Sequence, residues 1–197
     1  MFTGTAETIT QKLFENHSIN KEQYEICKFG IQQGLTILLN IVTIIIVGII
    51  VGVLWQAVLF MVFYFPLRSY AGGYHAKTSV RCYMYSILLI IIVLLAIKLL
   101  VFTRLVYIFA FLISFGIIFI LAPVEDLNKK LDNIEKSVYK KRTRIVTTIE
   151  GMLFVISLFL KLNILINVLT YSFITMALIL SFGKYKNTYL TKKITND

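Results

Sequence analysis

His75 and Cys82 share the polar gap RSYAGGYHAKTSVRC, residues 68 to 82, between two long apolar runs. A thiol that attacks a carbonyl needs a base to take its proton, and an imidazole can be that base. On one straight helix a seven-residue spacing would put both side chains on the same face but about 10.5 Å apart along the axis. That is too far for a hydrogen bond, so the chain between them must bend. Gly72 and Gly73 disfavour a rigid helix ahead of His75, while Thr78 or Ser79 can cap a helix that continues into the next apolar run. With Ser79 as N-cap, Cys82 falls at the third helical position, where unpaired N–H groups and the helix dipole stabilise a thiolate. Arg68 and Arg81 add positive charge to the same gap. The competing reading is structural: Cys82 packs as a small hydrophobe and His75 is an interfacial polar group.

The elements that must position this pair are membrane helices. Of 197 residues, 58% are apolar, and twenty Lys and Arg stand against ten Asp and Glu. The charges are confined to gaps between runs too apolar for a soluble domain, which favours a basic membrane protein over a nucleic-acid binder. No charged residue occurs from 31 to 67. As one helix this run would extend about 55 Å, against a hydrocarbon core of about 30 Å. Two spans fit better, with the turn at Gly48 or Gly52. Residues 83–100 and 105–122 form a second pair, and 145–160 and 162–182 a third. The expected fold is therefore all-α, with about six transmembrane helices in a single membrane domain. The fifth span is the weakest, because Thr147, Thr148 and Glu150 fall in its first turns; five spans or a re-entrant segment is the alternative.

Basic residues flanking the spans set the orientation, since Lys and Arg resist translocation. Seventeen of the twenty lie in 1–30, 68–82, 123–144 and 183–197, and only Lys98, Arg104 and Lys161 lie on the other side. Both termini, the 123–144 loop and the His75/Cys82 gap are thus expected on the cytoplasmic face. Residues 1–30 lack the pattern of a cleavable signal. They read as one or two amphipathic helices in the membrane interface, with Ala6, Ile9 and Leu13 at helical spacing and a capping box from Asn20 to Gln23. With only Cys27 and Cys82, both on the reducing side, no structural disulfide is expected. Cys27 is read as packing and His17 as a solvated turn residue.

Other functions would require other residues. A small transporter or channel subunit predicts charged or broken mid-span segments, whereas these spans hold mostly mild polar residues such as Asn40, Asn163 and Asn167. A membrane redox enzyme would want a C-x-x-C pair, and a metal site more ligands than one His and one Cys. Neither a metal nor a cofactor is expected. A non-catalytic scaffold or sensor partner predicts that Cys82 is replaceable by Ala.

Arg68, Gly73, His75 and Cys82, followed directly by a long apolar span, resemble the AgrB family of membrane cysteine endopeptidases in bacterial quorum sensing. In that pattern an Arg lies seven residues before the His, a Gly two before it and the Cys seven after it. A second patch, APVEDLNKKL from 122 to 131, resembles the family's Pro-, Asn- and Lys-bearing segment after the fourth span. The resemblance implies cleavage of an AgrD-like propeptide, with Cys82 as nucleophile and His75 as base and then acid. The tail leaves, and the thioester to Cys82 is closed by an internal substrate thiol or hydroxyl. It also implies site roles for Arg68, Gly73, Lys129 and Lys130, and a homodimer in the bilayer. A third group orienting His75 is left open between Glu125, Asp126, Glu150, Gln56 and none.

Overall fold

The computed structural model describes residues 3–16, 18–73, 79–125 and 132–196, which are almost wholly helical and contain no extended strand. The helices are α1 (Thr3–Glu15), α2 (Lys21–Val51), α3 (Leu54–Ala71), α4 (Ser79–Leu99), α5 (Arg104–Leu121), α6 (Asn133–Phe159) and α7 (Asn163–Asn196). This is the all-α integral membrane fold expected. Four helices are long and apolar enough to cross a membrane: α2, α5, and the stretches Val80–Leu99 of α4 and Asn163–Tyr189 of α7. α3 and α6 stand apart in composition, since α3 carries Gln56 and Arg68 and the first half of α6 is rich in Lys and Arg.

The 31–67 run is split at Gly52, not at Gly48. Gly52 has φ 77°, a left-handed conformation that glycine adopts without a Cβ penalty. Its N–H reaches the Ile49 carbonyl at 3.0 Å and that of Val53 reaches Gly48 at 2.8 Å, the paired bonds of a Schellman ending. Lys98 donates to the Val51 carbonyl at 2.6 Å, satisfying another open helix-end acceptor. Gly48 serves packing instead: a Cβ there would stand 2.8 Å from the Ala57 Cβ.

Successive helices alternate in direction and sort the connections to two ends. Thr43 and Tyr83 share a hydrogen bond at 2.8 Å, and Lys98 meets Val51 further along, so α2 and α4 run side by side in the same sense. At this far end Tyr171 donates to Leu100. At the opposite end lie Gly72, Val124 and Asn187. α7 is the most enclosed helix, and a cluster of Phe111, Phe154 and Phe173 joins it to α5 and α6, with the first two rings stacked 3.8 Å apart. The helices keep broad apolar faces exposed, among them Ile50, Ile92, Phe109 and Ile120. In water those faces would be a liability, and in hydrocarbon they are the solvated surface.

Three boundaries differ from the sequence reading. The 123–144 loop is helical from Asn133, because Asp132 accepts from the Glu135 N–H at 2.6 Å and the Glu135 carboxylate answers the Asp132 N–H, a capping box that starts α6 early. Residues 183–196 continue α7. At the N-terminus α1 packs against α2, fixed by Lys28 to Glu7 at 3.0 Å, but residues 21–30 run into α2 without a break.

Candidate active site

The polar gap begins where α3 ends. Gly72 (φ 71°) and Gly73 (φ 113°) both adopt conformations that disfavour L side chains, and together they turn the chain out of α3. Val124 lies against this turn in a short bridge: its N–H donates to Ala71 at 2.9 Å, and the Gly73 N–H donates to Val124 at 3.0 Å. A Cβ on Gly72 would stand 2.3 Å from the Val124 oxygen, so no side chain fits there. A Cβ on Gly73 would meet Ile179 at 2.8 Å and the Arg68 guanidinium at 3.0 Å. Arg68 itself donates to the Gly72 carbonyl, one helical turn along. Its described bond is thus to the backbone of the glycine turn.

The connector after α5 is fixed from two further sides. Asn187 of α7 donates to the Glu125 carbonyl at 2.6 Å, and Lys136 of α6 pairs with the Glu125 carboxylate. Tyr70 packs beside Tyr139, with the Arg142 guanidinium over its ring at 5.5 Å. The two patches that carry the family pattern, 68–82 and 122–131, therefore start from one bonded point.

Cys82 lies in the first turn of α4, which starts at Ser79, so its expected place at a helix N-terminus holds to within one residue. It is half-buried and lines a cavity of about 540 Å³ together with Arg68, Gly72, Tyr64, Tyr85 and Glu125. The cavity is bounded by α2, α3, α4, the 123–125 connector, Tyr139 of α6 and Ile179 of α7, and its surface is mostly apolar and aromatic. Such a recess offers a mainly apolar lining with a few polar groups at the reacting end. A shallower groove between α5 and α6, beside Lys140, Lys141 and Arg144, is lined by neither Cys nor His among the described residues.

Arg68 and Cys82 are thus brought to one cavity, with Gly73 in the turn beside it. His75, Lys129, Lys130 and Asp126 lie outside the described residues, as does His17. Among the groups considered for orienting His75, Gln56 belongs to the first turn of α3, at the end of that helix remote from the Gly72 turn. Glu150 is buried in the face of α6 and does not line the cavity. Glu125 does line it. Cys27 is half-buried in α2 and does not line the cavity. Sequence reasoning missed Tyr64 and Tyr85, whose signal was only their spacing from Arg68 and Cys82 on the same helix faces.

The model of the family Accessory gene regulator B matches residues 6–182. The chain belongs to the AgrB family. An AgrB-like protein of Clostridium perfringens (strain SM101 / Type A) is 26% identical over 87% of this chain and 80% of its own length. A second AgrB-like protein, from Clostridium perfringens (strain 13 / Type A), is 25% identical with the same coverage. No solved structure matches. Membership supports an AgrB-like role in processing a quorum-sensing propeptide, in a protein of the membrane. The match contains both halves of the bridged site, Gly72 and Val124.

Proposed function

We propose that this protein is a membrane-embedded cysteine endopeptidase that removes the C-terminal tail of an AgrD-like propeptide through a Cys82 thioester. The observation that carries this reading is that Cys82, at a helix N-terminus, opens into the cavity whose rim is the Gly72–Val124 bridge, one residue from the segment bearing His75.

His75 takes the Cys82 proton, and the sulfur bonds to the carbonyl carbon that joins the central segment to the tail. The C–N bond then breaks, and the imidazolium returns the proton to the departing amine. An internal substrate thiol (or hydroxyl) next attacks the thioester, releasing Cys82 and closing a thiolactone or lactone. Thioester exchange between thiols is close to balanced in energy, so water must be kept out, and the apolar recess serves that purpose. Arg68 supports the glycine turn that leads to His75. Lys129 and Lys130 attract the acidic tail. The distribution of basic residues supports six crossings, with both termini and the site on the cytoplasmic side, where a newly made propeptide is found. A homodimer is part of the same reading.

The test is purified protein in liposomes with a propeptide of this class. Mass spectrometry should detect the central segment as an adduct on Cys82, sensitive to hydroxylamine and absent in Cys82→Ala. Cleavage that persists in Cys82→Ala would overturn the reading and favour a scaffold or transport role for the chain.

A further inference from the structure

Attack of a thiolate on an amide carbonyl places negative charge on the carbonyl oxygen, and a hydrogen-bond donor must meet it there. Several of the donor side chains that line the cavity beside Cys82 are already committed. Thr36 donates to Gln32 at 2.9 Å, Asn40 to Thr36 at 3.0 Å, Ser69 to Phe65 at 2.8 Å and Ser86 to Cys82 at 3.0 Å. Arg68 is engaged by the Gly72 carbonyl. The Tyr64 hydroxyl makes no hydrogen bond among the described residues, yet Tyr64 lines the same cavity as Cys82 and stands one helical turn before Arg68 on the same face of α3. Its ring is fixed by stacking on Phe60, with centroids 5.0 Å apart and planes 10° from parallel. A tyrosine held by its ring and open at its hydroxyl is a preorganised donor.

We infer that Tyr64 is a further catalytic residue, whose hydroxyl donates to the carbonyl oxygen of the scissile bond as Cys82 attacks. The inference rests on the endopeptidase reading above and adds a role to it. As the sulfur–carbon bond forms, the carbonyl π pair moves onto oxygen, and Tyr64 stabilises it without giving up its proton. When the C–N bond breaks, that pair returns, and the leaving amine takes its proton from His75.

Tyr64→Phe deletes the hydroxyl and keeps the ring on Phe60. In liposomes, single-turnover formation of the Cys82 thioester should slow by about a hundredfold, the typical effect of losing one such donor. Alkylation of Cys82 by iodoacetamide, which develops no oxyanion, should proceed at the wild-type rate. So should binding of the propeptide to Cys82→Ala carrying Tyr64→Phe. Thioester formation within about twofold of wild type would overturn the role. So would equal slowing of alkylation, which would place the hydroxyl's effect on the thiol. A wild-type protein that forms no thioester removes the endopeptidase reading, and this inference with it.

Discussion

The Gly73 N–H donates to the Val124 carbonyl at 3.0 Å, joining two segments some fifty residues apart in the chain. Val124 is two residues before the 126–131 segment, and Gly73 is two before His75. The contact requires glycine at 72, where any Cβ would be driven into the Val124 oxygen. Gly72→Ala should break the bridge and lower propeptide cleavage by about a hundredfold, the effect expected of misplacing a reacting group by about 1 Å. Gly116→Ala is the control: a Cβ there meets nothing within 4 Å, and cleavage should be unchanged. Equal activity in both variants would show that the bridge does not position the site.

The division of the chain into helices was readable because each break carries a local signal. Gly52 needs only its neighbours to end α2, and the apolar runs are long enough to specify membrane helices unaided. The Gly72–Val124 bridge was not readable, since nothing in either segment names the other. The extent of α6 was missed for a different reason. Thr143, Thr147, Glu150, Phe154 and Ser157 recur at alternating steps of four and three and are all buried inside the bundle. Taken one by one, Thr147 and Glu150 looked like a weakness in a span, whereas their period marks the face that packs against the other helices.

Cys82 and Cys27 provide an internal comparison, both half-buried and only one in the cavity. In membranes at neutral pH, iodoacetamide should modify Cys82 faster than Cys27 by about tenfold, because the thiolate is the reacting species. His75→Ala should abolish that advantage and leave Cys27 unaffected. Peptide mass spectrometry of time-quenched samples gives both rates from one experiment. Equal rates in the wild type would remove the case for a Cys82 activated in the resting protein.

Gly48 brings α2 and α3 together against Ala57. Gly48→Val puts two methyl groups beyond a Cβ that is already too close, and neither backbone can yield without separating the helices. The expected loss is about 1–3 kcal/mol, the usual cost of overpacking. It should appear as a lower midpoint for thermal unfolding in detergent. Gly34→Ala, at a position with nothing within 4 Å of the new Cβ, should leave the midpoint unchanged or raised. A Gly48→Val midpoint equal to wild type would mean that the α2–α3 approach is not needed for stability.

Glu150 is 5% exposed, and its Oε2 has no hydrogen-bond partner among the described residues. Leaving a buried polar group unsatisfied costs about 1–3 kcal/mol, and an apolar side chain of similar length avoids that cost. Glu150→Met should therefore raise the unfolding midpoint, while Glu150→Gln, which keeps a polar end in the same place, should not. Because Glu150 lies outside the Cys82 cavity, both variants should process propeptide at the wild-type rate. A stabilised Glu150→Met with normal cleavage identifies the carboxyl as a packing defect tolerated by the bundle. A stabilised variant with lost cleavage would instead show that the bundle retains this carboxyl for activity, at a cost in stability, and would tie α6 to a step the cavity alone does not perform.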